Sequence, residues 1–509
     1  MPVEEIIERP PRTTWQNYHK TGTSRLRGRF AVRSAELDPG RDDIKEGAQA
    51  VQAWLARAKA EGVTVRPVGG AWSPSNIQLV EDGWMLNTRR FNRCFRLAPG
   101  DFADPATDSA GYLLVEGGVQ IDEINDKLEA DAVARSLRST GASNGQTIAG
   151  ACATGTHGSV LTAGGIQDHV RAIQIATPGG IHWIEPSTPL MSDGFIAATG
   201  ADKVWRSDEH FAAAQVAVGS LGIVTAMVLA TVPRFYLQAI LKVIDFRADD
   251  LQQLAAGAFR AFSERHGLPE VPYFVMVITN PYKPFKRKAV VRFLYKRTDV
   301  SSCVVAKTPA ELGAGYDSFS MLGWVLHNLP WARGWILQSI MTLAVGKGIT
   351  EADKVVGTWG QTTETHKPLA RIFTGALFCD RNDLPRMFET GCGAFAHAGG
   401  ATAVTLRFMT GGCGLLSTAR WPATAGMDCD GPDSARTRGA YRQMLAALDA
   451  AGIPFTRHWG KFNELDAARI EHDYGADLQA WKRVQDELLP PADRAVFRTP
   501  VLDSWGLTA

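Results

Sequence analysis

The segment GASNGQTIAGACATGTHGS, residues 141–159, is the most informative part of this 509-residue chain. It is rich in Gly, Ala, Ser and Thr and contains no Asp, Glu, Lys or Arg. Side chains this small cannot fill a hydrophobic core, but they allow backbone to pass close to a bulky ligand. Backbone N–H groups in such a loop can bind phosphate oxygens without a cationic side chain. Because strand patterns lie on both sides, we favour a phosphate-bearing cofactor over a flexible linker.

Two further glycine turns lie at the ends of predicted strands. Gly69 and Gly70 follow an alternating strand directly, and Gly219 and Gly222 form a tight turn that enters a buried strand. The N-terminal half is predicted to contain helices over 42–62 and 121–130 and strands over 63–68, 112–118, 170–176 and 181–184.

The pattern of predicted secondary structure changes near Leu237, where longer β-type segments begin to alternate with helical patterns. This alternation predicts a second, α+β lobe. The predicted strands cover 239–246, 271–278, 289–295, 371–379 and 401–409, and the predicted helices cover 249–266, 384–398, 434–451 and 476–489.

Composition and charge exclude several classes of protein. Lys and Arg number 54 against 53 Asp and Glu, so the net charge of +1 gives no electrostatic case for nucleic acid or an acidic membrane as the main partner. The seven cysteines have no CxxC spacing, which favours a reducing compartment, the cytoplasm, over a disulfide framework or a zinc site, and no metal is expected. The dinucleotide fingerprint GxGxxG, the phosphate loop GxxxxGK[ST], the HExxH zinc motif and the GxSxG elbow are all absent.

The most apolar region covers residues 321–345, but polar residues interrupt it and its last clean run is too short to span a bilayer. It is either a buried helix or a surface that touches lipid, and we favour the buried helix. Trp324, Trp331 and Trp335 permit a bulky apolar substrate nearby, although tryptophans on a helix more often belong to a core.

Four stretches, RPVGGAWSPSNI (66–77), QTIAGACATGTHGS (146–159), VGSLGIVT (218–225) and RHWGKF (457–462), carry a family resemblance. Together they resemble the vanillyl-alcohol oxidase class of flavoproteins, which bind FAD in the para-cresol methylhydroxylase manner, and within it the aldonolactone/alditol oxidase branch. The resemblance implies an α+β fold, with a two-lobed FAD-binding domain and an inserted α/β cap domain for the substrate. The implied boundaries are an N-terminal extension at 1–30, the FAD domain at 31–236, the cap at 237–452 and a returning C-terminal segment at 453–509.

The resemblance also implies which residues hold FAD. The first loop would bind the pyrophosphate, the second would line the isoalloxazine and the rest of the cofactor, and Ile223 would meet the adenine side. The residues of the first loop are Pro67, Val68, Gly69, Gly70, Ala71, Trp72 and Ser73, and those of the second are Gly141, Ala142, Thr147, Gly150, Thr154, Gly155, Thr156, His157 and Gly158. This set offers backbone N–H groups and hydroxyls, and we expect no buried cation beside it.

The sequence departs from the family at its covalent anchors. Many members have His where Trp72 stands, and tryptophan has no nucleophilic nitrogen suited to a bond with the flavin. No Cys stands near Ser143, where bicovalent relatives carry one. We therefore predict FAD bound without a covalent link. His157 is either a structural histidine that orders its loop or a direct contact of the cofactor.

On the substrate side, the resemblance implies Arg407, Lys461 and His458. A cation near the flavin N1–C2=O region stabilises the reduced, anionic flavin. Family members often carry Glu where Thr405 stands and, in alditol oxidation, Ser where Ala142 stands, so a polyol is not the expected substrate unless the alignment is locally misplaced. Gly141 aligns with the family's oxygen gate, where a small residue accompanies oxidase behaviour.

The implied function is oxidation of a CH–OH group of an alcohol, sugar lactone or polyol-like substrate. Hydride would pass to flavin N5, Lys461 or His458 would assist proton transfer, and O₂ would be reduced to H₂O₂. One alternative is a dehydrogenase that passes electrons to cytochrome or quinone, with the apolar 321–345 region as a docking surface. Another is a flavin-binding protein without catalysis.

Overall fold

A computed structural model describes residues 4–9, 13–33, 42–312, 333–362 and 371–508, and the fold is reported for these residues. In its N-terminal lobe a four-stranded sheet stands beside a six-stranded sheet, and helix Asp42–Ala60 packs between them. The smaller sheet has the order Glu4–Arg9, Gly28–Arg33, Trp84–Asn87, Val65–Val68. The larger has the order Lys203–Arg206, Gly180–Glu185, Val170–Thr177, Ile223–Ala230, Tyr112–Glu116, Cys94–Arg96.

The predicted elements of this lobe are confirmed. Helix Ile121–Ala130 buries Ile121, Ile124 and Leu128 completely, as the one-sided apolar spacing predicts. The 141–159 segment differs from a plain loop because it contains the short helix Ile148–Ala153. That helix buries Ile148, Ala151 and Cys152, whose i, i+3, i+4 spacing is easily overlooked among so many small residues.

In the described part of the chain, nine strands form a second, largely antiparallel sheet, which we call the cap sheet. Two of its central strands matter most for the site. We call Ala403–Thr410 the Arg407 strand and Ala423–Pro432 the Asp428 strand, and they pair antiparallel along their length. The order is Val304–Val305, Val355–Gly357, Tyr236–Asp245, Lys288–Arg297, Phe274–Thr279, the Arg407 strand, the Asp428 strand, Ile372–Asp380, Thr456–Arg457.

The two faces of the cap sheet have different neighbours. Val404, Leu406 and Phe408 of the Arg407 strand pack into a core that includes residues of the cap helices. The alternate residues, Thr405 and Arg407, point to the opposite face and line a cavity. This division follows from the two-residue period of a β-strand. The helices that cover the packed face are Ala248–Ala255, Phe259–Arg265, Leu384–His397 and Ala435–Ala450.

Three expectations for the cap are corrected. The Asp428 strand falls where we predicted none, because its sequence, ATAGMDCDGP, contains residues typical of turns. The helix predicted over 249–266 divides in two at Gly257, which has a φ of 74°. In the apolar 321–345 region, helix Arg333–Val345 buries one side only and leaves Trp335 exposed, while Trp324 and Trp331 lie outside the described residues.

The C-terminal part packs against the N-terminal lobe. Trp459, Trp481 and Trp505 are buried in one core with residues of the six-stranded sheet. Gln485 also donates to the carbonyl of Ser220, which lies in the third glycine turn. Among the described helices, none combines the length and the hydropathy needed to cross a bilayer. The remaining helices are Asp193–Ala198, Asp208–Gln215, Trp359–Thr362, Ala467–Tyr474, Ala476–Leu488, Pro491–Arg494 and Pro500–Ser504.

Candidate active site

A cavity of about 530 Å³ lies between the glycine loops of the N-terminal lobe and the open face of the cap sheet. Most of the residues predicted to bind the cofactor or substrate line it. They are Pro67, Val68, Gly69, Gly70, Ala71, Trp72, Ser73, Gly141, Ala142, Thr147, Gly150, Thr154, Thr156, His157, Ile223, Thr405, Arg407, His458 and Lys461. Gly155 and Gly158, also predicted to touch the cofactor, do not line the cavity. A Cβ on Gly158 would come within 2.3 Å of the Thr140 carbonyl, so this glycine serves close packing of two backbone segments.

The first two glycine loops touch each other. A Cβ on Gly69 would lie 2.1 Å from Thr147 Oγ1, and a Cβ on Gly70 would lie 2.4 Å from the Gly145 carbonyl. Ala71 has a φ of 58°, a left-handed conformation that non-glycine residues seldom adopt. The surrounding structure therefore holds this strained backbone in place beside the cavity.

A buried cation stands beside these loops, contrary to our expectation. Arg66 is 3% exposed, lines the cavity, and donates to the carbonyls of Gly219 and Ile77 at 2.6 Å each. Burial lowers its pKa to about 10. Two carbonyl acceptors make this burial tolerable, and the guanidinium ties the first glycine loop to the third turn. No local pattern indicates these two hydrogen bonds, because the acceptors lie 11 and 153 residues away from Arg66 in the chain.

The aromatic ring of Trp72 is enclosed by two residues that the sequence analysis missed. Tyr18 stacks on it with ring centroids 4.0 Å apart, and His19 meets it edge-on at 5.8 Å. Both belong to the connection between strands Thr13–Gln16 and Thr23–Leu26, and both line the cavity. Burial, with a contribution from the charge of Lys461, lowers the pKa of His19 to about 4, so its imidazole is neutral near pH 7.

A charged cluster occupies the cap side of the cavity. Arg407 Nε donates to Asp428 Oδ2 at 2.6 Å, and Lys461 Nζ lies 3.4 Å from Asp428 Oδ1. The Asp428 side chain is only 1% exposed. One buried carboxylate thus balances two cations that come from different segments of the chain.

The register of the cap sheet explains why Asp428 was missed. Thr405, where the family often has Glu, faces Asp428 directly across the strand pair. The carboxylate that position 405 lacks is therefore supplied to Arg407 by Asp428 of the neighbouring strand. Asp430 follows on the same face of the Asp428 strand, opposite Ala403, and also lines the cavity.

The two carboxylates have opposite pKa shifts. Burial acts to raise the pKa of Asp428, but the charges of Lys461 and Arg407 outweigh it and hold the pKa well below its usual range. For Asp430 burial prevails, and the neighbouring charge of Asp428 adds to it, so the pKa is raised. Two acids of one cavity wall thus differ in how readily they hold a proton.

Both histidines of the cluster are neutral. Burial, followed by the charge of Lys461, lowers the pKa of His458 well below its usual value, and its Nδ1 accepts a bond from Gly460 N–H. Burial lowers the pKa of His157 to about 3, and its Nδ1 donates to the Gly158 carbonyl. The unprotonated Nε2 of His157 therefore faces Asp428 Oδ1 at 4.0 Å, a gap between two acceptors that suits a ligand N–H or O–H.

Buried polar atoms that form no hydrogen bond indicate that the cavity is built for a polar ligand. Ser143 Oγ, Gln146 Oε1 and Asp428 Oδ1 are buried, border the cavity and form no hydrogen bond with the protein. Such groups carry a cost unless a ligand satisfies them. Close-packed glycine backbone, hydroxyls, an amide and the Arg66 guanidinium form a donor and acceptor set that fits a dinucleotide carrying a flavin.

Comparisons with known proteins agree with this reading. Residues 46–184 match a family profile described as an FAD binding domain. The D-arabinono-1,4-lactone oxidase of Candida albicans is 27% identical over 38% of this chain and 32% of its own length. The L-gulonolactone oxidase of Bos taurus is 28% identical over 36% of this chain and 35% of its own. The chain therefore spans about a third of the length of these relatives.

A solved structure titled solvent-stable cholesterol oxidase matches nearly the whole chain, with a TM-score of 0.71 over 99% of this chain and 98% of its own. The sequences are 14% identical, so this likeness establishes the fold. The chain thus has the fold of vanillyl-alcohol oxidase-type flavoproteins, as the resemblance predicted. Residues 46–184 match an FAD binding domain, the chain is similar in sequence to aldonolactone oxidases, and FAD is its cofactor.

Proposed function

We propose that this protein is an FAD-dependent oxidase that oxidises a CH–OH group, with O₂ as the electron acceptor. The observation that carries the proposal is the cluster of Asp428, Arg407 and Lys461, which lies in the cavity that the glycine loops form with the cap. Bound FAD supplies the hydride acceptor and returns the electrons to O₂ as H₂O₂. The small residue Gly141, which lines the cavity, supports access for O₂.

The two cations stabilise negative charge. Arg407 and Lys461 are held by Asp428, so they need not reorganise when charge develops on the bound cofactor or on the substrate oxygen. Such fixed charges act strongly where water is excluded, and Arg407 is only 6% exposed.

The two carboxylates divide the remaining work. Asp428 stays ionised and positions the cations, while Asp430 accepts the proton of the substrate hydroxyl. A pair of acids with pKa values pushed apart supports this division, because a proton acceptor works best with a pKa near the working pH. Asp430 thus takes the place of Lys461 and His458, the two groups that the sequence analysis assigned to proton transfer. The lowered pKa of His458 and its protonated Nε2 make it a hydrogen-bond donor.

The substrate carries an apolar part. Ala142 lacks the hydroxyl that alditol-oxidising relatives place there, and the cavity wall includes Ile278, Ile372 and Ala403. These side chains suit hydrocarbon better than a chain of hydroxyl groups.

The test is to mix the FAD-loaded protein anaerobically with candidate alcohols and lactones at a series of pH values. The rate of flavin reduction is measured as bleaching of the flavin absorbance. The reduction rate should rise with pH as Asp430 loses its proton, at a pH above the usual carboxylate range. Asp430→Asn should bind FAD normally but lose this rise. A pH profile that is unchanged in Asp430→Asn would remove Asp430 from proton transfer.

Reduction of the flavin without peroxide release in air would favour the dehydrogenase. If no alcohol or lactone bleaches the flavin, that result would oppose the assignment as an enzyme.

We propose FAD bound without a covalent link and a cytoplasmic location. Trp72 in place of the usual anchor supports the first, and the seven cysteines, none in a disulfide, support the second. Acid precipitation of the yellow protein and fractionation of cells test the two points separately.

A further inference from the structure

Helix Arg333–Val345 has one side packed against the cap sheet and one side exposed. Ile336, Leu337 and Met341 belong to a small core with residues of the sheet. On the other side Trp335 is 68% exposed and Leu343 is 79% exposed, the highest values for large apolar residues in the described part of the chain. The two residues are eight positions apart along the helix, a rise of about 12 Å.

The exposed side of this helix does not resemble an ordinary solvated surface. From Gly334 to Val345 the sequence contains no Asp, Glu, Lys or Arg. Between the two apolar residues lie Ser339 and Thr342, and the Thr342 hydroxyl bonds back to the helix carbonyls of Gln338 and Ser339. A surface helix of a globular protein normally carries charged residues on its outer side.

A basic segment adjoins the beginning of the helix. Residues 283–288 read KPFKRK, and Lys283 and Lys286 are exposed. Two hydrogen bonds connect the helix to this region, from Asn280 Nδ2 to the Gly334 carbonyl and from Gln338 Nε2 to the Lys288 carbonyl.

A further exposed lysine, Lys347, follows the end of the helix. No described carboxylate lies within ion-pair distance of Lys283, Lys286 or Lys347 (4.0 Å), so none of their charges is neutralised there. The balanced charge of the whole chain concealed this local excess.

We propose that this surface, formed by Trp335, Leu343, Lys283, Lys286 and Lys347, docks on an anionic membrane. Tryptophan and leucine enter the boundary between headgroups and acyl chains, while flanking lysines contact anionic headgroups. The lysines lie outside the helix and border its apolar residues. Their positive charges complement the negative headgroups of a lipid surface and have no counterpart on an apolar protein partner. The helix lies on the membrane and does not enter its centre.

The docked helix packs directly behind one wall of the cavity. Ala403 and Ile278 line the cavity and pack with Ile336, Leu337 and Met341 of the same helix. One helix, about 10 Å across, thus separates the cavity wall from the lipid. The substrate class that follows is an alcohol with a lipid-soluble body, and this step alone rests on the proposed function.

Vesicle flotation of the FAD-loaded, full-length protein tests the docking. Phosphatidylcholine vesicles containing phosphatidylserine should bind the protein, and pure phosphatidylcholine should bind it much more weakly. Neutralising Lys283 and Lys286 with glutamine should reduce binding about thirtyfold. The double change Trp335→Ser and Leu343→Ser should reduce it on the order of a hundredfold. Val133→Ser, at a 59% exposed valine of the other lobe, is the matched control and should change nothing.

Equal binding by wild type and the Trp335/Leu343 variant, or no binding to either vesicle, would overturn the proposal. So would a change from dimer to monomer in that variant, because it would assign the surface to a second copy of the chain. Flavin bleaching by a lipid-soluble alcohol presented in the same vesicles tests the substrate step. Normal docking without bleaching would count against the proposed function and leave the docking surface intact.

Discussion

Replacing Asp428 by Asn should destabilise the protein because it leaves the buried Arg407 and the partly exposed Lys461 without their counter-charge. The side chains of Asp428 and Arg407 are 1% and 8% exposed. Removing one partner of such a pair costs about 3–5 kcal/mol. At about 2.1 cal/mol/K per residue, a chain of 509 residues loses about 1 kcal/mol of stability per degree near its midpoint. The thermal midpoint should therefore fall by about 3–5 °C, measured by fluorescence with FAD in excess.

The pH dependence of this loss follows from the direction of the pKa shift. The pKa of Asp428 is depressed in the folded protein, so its contribution is present above the ordinary carboxyl pKa of about 3.9 and is lost as pH falls through the lower, folded value. The difference between wild type and Asp428→Asn should thus stay constant from about pH 5 to pH 8.

Asp430→Asn is the matched control, since it makes the same change two residues further along the same strand face. The pKa of Asp430 is raised in the folded protein, so its ionised form costs stability at higher pH. This variant should gain stability relative to wild type as pH rises. Equal losses in both variants would contradict the assignment of different charge states, and so would a higher midpoint for Asp428→Asn.

Three further predictions concern the cofactor. Arg407→Met should retain FAD but slow flavin reduction about 100- to 1,000-fold in stopped-flow bleaching; an unchanged rate would remove this guanidinium from the reaction. Acid precipitation should release all the flavin, and flavin that stays in the pellet would direct the search for a covalent link to His19, beside the usual anchor position. Gly69→Ala should yield colourless protein, because the new Cβ would lie 2.1 Å from Thr147 Oγ1, whereas Gly439→Ala, in a helix with open space around it, should remain yellow and fully folded.

Local sequence patterns predicted the parts of the fold that depend on local physics. One-sided apolar spacing located helix Ile121–Ala130, and strand patterns located Val170–Thr177 and Gly180–Glu185, which pair as antiparallel neighbours. The glycine loops were recognisable because close backbone approach requires small residues at consecutive positions. Most of the residues that line the cavity from the N-terminal lobe could therefore be predicted.

The cap side of the site could not be predicted in full, because it depends on pairing between distant strands. The Asp428 strand contains Gly, Asp and Pro, which disfavour strands locally, and burial between two neighbours overrides that preference. Nothing in the sequence states that position 428 faces position 405. Arg66, Tyr18 and His19 were missed for the same reason, since their partners are remote in the chain.

Successive residues of a cap strand face the cavity and the cap helices in turn, so the register of the strand decides which side chains meet the ligand. Asp428 and Asp430 face the ligand, whereas Met427 and Cys429 face the helices. A deletion or insertion of one residue ahead of Asp428 would exchange the cavity-facing and helix-facing residues. The two carboxylates would then lie in the hydrophobic core, and the Met427 thioether would face the cofactor cavity. Substitutions at the cavity-facing positions alone can therefore change the reaction without disturbing the core. An insertion or deletion within these strands alters the core and the site together, in evolution as in engineering.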